Sequence, residues 1–127
     1  MENYEVKIIN SSKELNAIER IAIKDTTDCV GFDTLAVGEV LRIEPVMWVE
    51  LGVHNEYSKD SKDYSKFVLV TADGKKYTTG SKSFIDSFMN IWTELANEGI
   101  TEFALNVYKV ESKNYKGKAF ITCSLAL

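Results

Sequence analysis

A mainly β fold with helices is predicted by three observations. Alternating apolar and polar runs dominate the chain after residue 39, an Asp-Gly pair sits between two of them, and only two segments carry helical spacing. The 127 residues suit one domain, and 45% hydrophobic with 27% charged residues is an ordinary globular composition. "YEVKII" reads as a short first strand. "SSKELNAIERIAIKD" reads as a helix, with Ser11 and Glu14 at capping-box spacing and Leu15, Ile18, Ile21 and Ala22 as its apolar stripe. Residues 25 to 38 are irregular. From Val40 to Val53 a long strand is expected, with Leu41, Ile43, Met47, Val49, Leu51 and Val53 alternating against Arg42, Glu44, Trp48 and Glu50. Pro45 lies inside it and predicts an edge position, a bulge or a bend.

After the polar run "HNEYSKDSKDYSK", the segment "FVLVTADGKKYTTG" reads as a hairpin turning at Asp73-Gly74. A two-residue turn there sets Val70 opposite Tyr77 and Leu69 opposite Thr78, with Phe67 and Tyr77 on different faces. "SFIDSFMNIWTELANEG" is the main helix. Ser83 is its expected N-cap, Gly99 its stop, and Phe84, Phe88, Ile91, Trp92 and Leu95 its core stripe. The chain closes on "FALNVYKVESKNYKGKAFITCSL", two strands around a lysine-rich turn. From residue 40 the order is strand, strand, strand, helix, strand, strand, which is the order of the OB fold, a five-stranded barrel with its helix between strands 3 and 4. The expected layout is one OB-fold domain over 1–127, with an N-terminal strand and helix extension (1–38) packed on a barrel (39–127).

The net charge of −4 is uneven. Residues 1 to 58 hold five basic and eleven acidic residues, whereas 59 to 127 hold ten lysines and eight acids. Residues 107 to 118 carry four lysines and one acid, Glu111, so an acidic body bears a local basic patch. In the terminal hairpin, Phe103, Leu105, Val107, Ala119, Ile121, Cys123 and Leu125 form an apolar face. Asn106, Tyr108, Val110, Lys118, Phe120, Thr122 and Ser124 form the other. Aromatics among lysines on a noncore face suit unpaired bases and their phosphates; the alternative is that the rings pack across the strands or against the N-terminal helix.

Catalysis finds no constellation. His54 is the only histidine, Cys29 and Cys123 stand apart, and "TADGKK" and "TTGSKS" lack phosphate-loop spacing. No enzyme activity, metal or cofactor is expected. Both cysteines are read as reduced, and with no secretory signal or spanning segment in view the expected location is cytoplasmic.

The runs "VGFDTLAVGEVLRI", "HNEYSKDSKDYSKFVLVTADGKKYTTGSKSF" and "SKNYKGKAFITCSL" together resemble the small single-stranded DNA-binding proteins of phages and mobile elements of Gram-positive bacteria. The likeness covers about residues 30 to 125 and lies in the order and texture of segments. It implies an OB fold that coats single-stranded DNA during replication or recombination, in the host cytoplasm if phage-encoded. The chain ends "ITCSLAL" inside a strand, so recruitment of partners by an acidic tail is not carried over. The candidate nucleic-acid-binding residues are Tyr108, Phe120, Tyr115, Lys109, Lys113, Lys116, Lys118, Trp48, Arg42 and Lys76. Single-stranded DNA is the expected partner. RNA, a homo-oligomer, and host or phage replication proteins are left open. The competing reading is a protein-interaction module, such as a phage-encoded inhibitor, that binds a basic host protein through the acidic N-terminal half.

Overall fold

The computed structural model describes residues 4–56, 63–112 and 118–127. Eight strands and two helices follow in the order β1 (Tyr4–Ser11), α1 (Ala17–Lys24), β2 (Val30–Gly31), β3 (Val40–Ile43), β4 (Pro45–Asn55), β5 (Asp63–Thr71), β6 (Lys76–Thr79), α2 (Lys82–Asn97), β7 (Ala104–Glu111) and β8 (Ala119–Ala126). A five-stranded sheet has the order β1-β4-β5-β6-β2, and a three-stranded sheet the order β3-β7-β8. The fold is mainly β with two helices, as expected. Among the described residues no pairing joins β6 to β8, so the strands do not close into a ring.

Pro45 divides the long strand read from sequence. Proline has no N–H to give a ladder, and the register shifts between Pro45 and Met47. The run therefore leaves one sheet at Ile43 and enters the other at Pro45: β3 pairs with β7, whereas β4 pairs with β1 and β5. The shift reverses the alternation beyond it. Trp48, expected on the polar face beside Arg42, is 7% exposed and points into the main core.

Because β4 and β5 lie inside the larger sheet, both of their faces are covered. On one side Trp48, Phe67, Leu69 and Tyr77 meet Phe84 and Phe88 of α2 and Leu105, Val107, Ile121 and Cys123 of the smaller sheet. On the other side Val49, Leu51 and Val68 meet Leu15 and Ile23. Rings run through the main core in near-continuous contact. Phe88 lies 5.9 Å from Phe84, 5.5 Å from Phe67 and 5.7 Å from Trp92, and Phe67 stacks on Trp48 at 5.6 Å. Phe32, from the short 3-10 turn after β2, touches Phe84 and Tyr77 at 5.0 and 5.2 Å. The N-terminal segment is thus not only an outer layer, since β1 and β2 extend the larger sheet at its two edges and Phe32 enters the core.

Three local readings change. Helix α1 begins later than expected. Asn16 is its N-cap, and in a capping box the Glu19 amide donates to the side-chain Oδ1 of Asn16 at 2.8 Å while the Asn16 amide donates to the Glu19 carboxylate at 3.1 Å. Ser11 ends β1, Leu15 is buried as expected but precedes the helix, Ile23 is the helix's buried residue, and Ile18 and Ile21 face solvent. The β5–β6 hairpin turns on three residues rather than two: Val70 pairs with Lys76, and the Gly74 amide donates to the Thr71 carbonyl at 2.9 Å. Gly74 has φ 83°, the left-handed residue that follows a type I turn in three-residue hairpins. The register slips by one, so Leu69 faces Tyr77, and Phe67, Leu69 and Tyr77 share the core face. Finally, α2 is capped by Ser81, whose hydroxyl accepts from the Phe84 amide, not by Ser83. Its stop at Gly99 stands, with φ 73° and amides of Gly99 and Ile100 returning to Ala96 and Leu95.

At the far end of the larger sheet, His54 bridges two carboxylates. Its Nδ1 is 2.7 Å from Asp63 Oδ1 and its Nε2 is 2.7 Å from Glu56 Oε1. The hydrogen bond to Asp63, then that to Glu56, favours the imidazolium and raises its pKa above the ordinary value near 6.5.

Two outcomes are expected. Phe88→Ala should cost about 3–5 kcal/mol in denaturant unfolding, the range for removing a buried phenylalanine; a loss under about 1 kcal/mol would show that Phe88 does not anchor the core. The imidazole of His54, followed by NMR, should titrate above 6.5. A pKa raised on folding adds stability that is complete below the unfolded value and is lost as pH rises through the folded one. His54→Gln should therefore flatten the pH dependence of melting in that window, and a midpoint at or below 6.5 would contradict the two contacts.

Candidate nucleic-acid interface

Sheet alternation builds a noncore face on β3, β7 and β8. In register, Val40 of β3 stands beside Tyr108 of β7, and Tyr108 beside Thr122 of β8. The next row outward on one side is Arg42, Asn106 and Ser124; on the other, Val110 stands beside Phe120. The intervening residues Leu41, Ile43, Leu105, Val107, Ile121 and Cys123 belong to or pack against the main core. The division of the terminal hairpin into two faces thus agrees with that read from sequence, except that Ala119 is exposed.

The face is open and apolar at its centre. Phe120 is 39% exposed and Val40 60%, and Tyr108 is half-buried. Neither Tyr108 nor Phe120 contacts another aromatic ring among the described residues, whereas eight other aromatics are joined in the core. Helix α1 buries its Ile23 in the second core instead, around Val49, Leu51 and Val68. Tyr108 and Phe120 are diagonal neighbours on adjacent strands, a separation of about 7–8 Å for such positions. At the β8 edge the Thr122 hydroxyl meets Ser87 of α2 at 3.2 Å.

Among the described residues, Arg42 and Lys118 bring positive charge to this face. Arg42 is exposed and 3.1 Å from Glu44, a surface pair worth little. Lys118 is exposed, and its carbonyl accepts the Ser112 amide at 2.8 Å, closing the base of the terminal loop. Tyr115, Lys113 and Lys116 lie outside the described residues.

Three candidate residues sit elsewhere. Trp48 is in the main core, stacked on Phe67. Lys76 is drawn inward, with a side chain only 14% exposed. Its ammonium donates to the carbonyls of Ala22 and Asp25 at 3.0 and 2.8 Å and lies 2.7 Å from Asp28, so it caps the C-terminus of α1. Lys109 alternates away from Tyr108 and donates to the Asp33 carbonyl at 2.9 Å. Val110 was already on this face in the sequence pattern, whereas Val40 was missed as a member of it. Val40 was legible as the residue two before Arg42 on the same strand.

A groove of about 730 Å³ lies among β1, β4 and β5 of the larger sheet. It is lined by Glu5, Glu56 and Asp63 with Lys7 and His54, a carboxylate excess that disfavours a phosphate chain. Among the described residues there is no group of three or more side chains able to hold a metal ion. Burial pushes the Cys123 thiol up to about 12, so it stays protonated. No described helix is long and apolar enough to cross a membrane.

Neither the curated proteins nor the solved structures yield a match. A family model described as phage single-stranded DNA-binding protein, of the Phi29 type, matches residues 7–126. With nearly the whole chain matched, the protein belongs to the phage single-stranded DNA-binding protein family.

Proposed function

We propose that this protein binds single-stranded DNA with little sequence preference across the outer face of β3, β7 and β8, and serves phage DNA replication or recombination in the host cytoplasm. One observation carries the reading: Tyr108 and Phe120 share one noncore face without aromatic partners among the described residues. Phe32, Trp48, Phe67, Tyr77, Phe84 and Phe88 are buried instead, and the exposed Tyr64 lies on β5 of the other sheet. Bases offer flat apolar surfaces that such rings can stack on regardless of sequence. Arg42 and Lys118 supply positive charge at the rim, and Lys113, Lys116 and Tyr115 are proposed to act from the terminal loop.

The strand order favours an open OB barrel. β3 and β4 form a first strand bent at Pro45 and shared by both sheets, β5 and β6 follow, α2 intervenes, and β7 and β8 complete the set. Nucleic acid would then lie along the strand surface on the side away from α1.

Titration with a labelled oligonucleotide tests the face. Tyr108→Ala and Phe120→Ala should each weaken binding by about 1–3 kcal/mol, with melting near wild type. Unchanged affinity in two folded variants would remove this face from consideration. Salt separates the lysines. Lys118→Gln should lower the slope of log affinity against log salt by about 0.7, the value for one phosphate contact on a single strand. Lys76→Gln should leave that slope alone and lower the melting temperature, because its ammonium holds α1 in place. A slope that falls equally for both would contradict the structural role of Lys76.

A further inference from the structure

We infer that β1 is a self-complementary edge through which two copies of this chain pair into one continuous sheet. β1 is the outermost strand of the larger sheet, and its far side carries no strand among the described residues. It is eight residues long, and among the described residues no strand pairs with its outer backbone edge, the usual template for strand addition. The opposite edge is β2, only two residues long.

Charge selects one register. In an antiparallel two-fold pair, residues standing opposite must point their backbone groups the same way, so the pairing has to be centred on a residue and not between two. Centred on Glu5 it opposes Glu5 to the partner's Glu5. Centred on Lys7 it opposes two lysines. Centred on Val6, Glu5 meets the partner's Lys7 at both ends, Val6 meets itself, and Tyr4 meets the partner's Ile8. Opposite charges directly across two strands stabilise, and like charges destabilise.

Three further features fit that register. Glu5 and Lys7 are exposed and on the same face, their side chains 3.6 Å apart at the nearest charged atoms, so both can turn to a neighbour. Val6 and Ile8 pair with Val53 and Leu51 of β4 and pack against the second core, so self-pairing at Val6 continues an apolar stripe from one copy into the next. The bulge between Ile8 and Asn10 ends the regular edge just beyond the paired segment. Pairing leaves the Tyr108–Phe120 face of the other sheet uncovered, and it stands or falls independently of DNA binding.

Sedimentation velocity of the whole chain without DNA, from micromolar to millimolar protein, reads the outcome. Wild type should pass to a species of twice the mass. Glu5→Lys and Lys7→Glu should each stay monomeric with unchanged circular dichroism, and their equimolar mixture should recover the dimer. A wild type that remains monomeric at millimolar concentration would overturn the inference, leaving Glu5 and Lys7 as charges that protect the edge. So would single variants that dimerise like wild type. If either reversal fails to fold, Val6→Cys in a Cys29→Ser background replaces it. Oxidised glutathione should then give a covalent dimer that reductant reverses, and absence of that dimer would equally reject the register.

Discussion

The passage of one strand run between two sheets at Glu44–Pro45 is the constraint on which the rest depends. A proline cannot donate to the ladder, so the run cannot stay paired in a single sheet across that point. β3 is committed to β7, and β4 to β5 and β1. The Ala72 amide donates to the Glu44 carbonyl at 2.9 Å, so the break is held by the tip of the neighbouring hairpin. Side-chain alternation restarts after the break with the opposite sense, and Trp48 turns inward. From that single reversal comes the aromatic core: Trp48 stacks on Phe67, Phe67 meets Phe88, and Phe88 ties α2 to both sheets.

Filling the interior with rings has a consequence for the surface. Phe32, Trp48, Phe67, Tyr77, Phe84 and Phe88 are all buried, and Trp92 and Phe103 pack against them. What remains outside is a small set, in which Tyr108 and Phe120 share one face with Val40 and Val110. The Trp48 indole nitrogen is buried without a hydrogen-bond partner among the described residues, a cost that packing of the ring must offset. An aromatic kept on an open sheet face gains no such packing, which makes its position more informative about binding than the abundance of rings inside.

Much of this was legible in the sequence because it follows from short-range periodicity. The terminal hairpin alternates cleanly, so its two faces follow from the sequence apart from the exposed Ala119, and the stripe of α2 from Phe84 to Trp92 fixes its inward side. Errors arose where a single residue changes parity. One additional turn residue before Gly74 moved Tyr77 onto the face of Phe67, and the register shift after Pro45 moved Trp48. Asp-Gly is shared by two-residue and three-residue turns, and local composition does not separate them. Helix α1 was misplaced for another reason: Ser11–Glu14 and Asn16–Glu19 are both capping-box spacings, and the pairing of Ser11 with Val49 removes the first from contention. The role of Lys76 spans more than fifty residues of chain to Ala22 and Asp25, beyond any periodic signal.

The fate of the lysines bears on what kind of binder this architecture supports. Counting basic residues suggests a strongly electrostatic groove, yet Lys76 and Lys109 donate hydrogen bonds to main-chain carbonyls, and Arg42 stands beside Glu44. Those contacts tie α1 and the segment after β2 to the two sheets, so part of the positive charge is consumed in holding the fold. The described part of the face around Tyr108 is correspondingly apolar rather than basic. Under the proposed reading, stacking and apolar contact would carry a larger share of affinity than phosphate neutralisation does. Stacking loses little with added salt, whereas each neutralised phosphate contributes steeply to salt dependence. For an acidic protein that binds an acidic polymer, such a division would let rings supply contact where positive charge is committed to the fold.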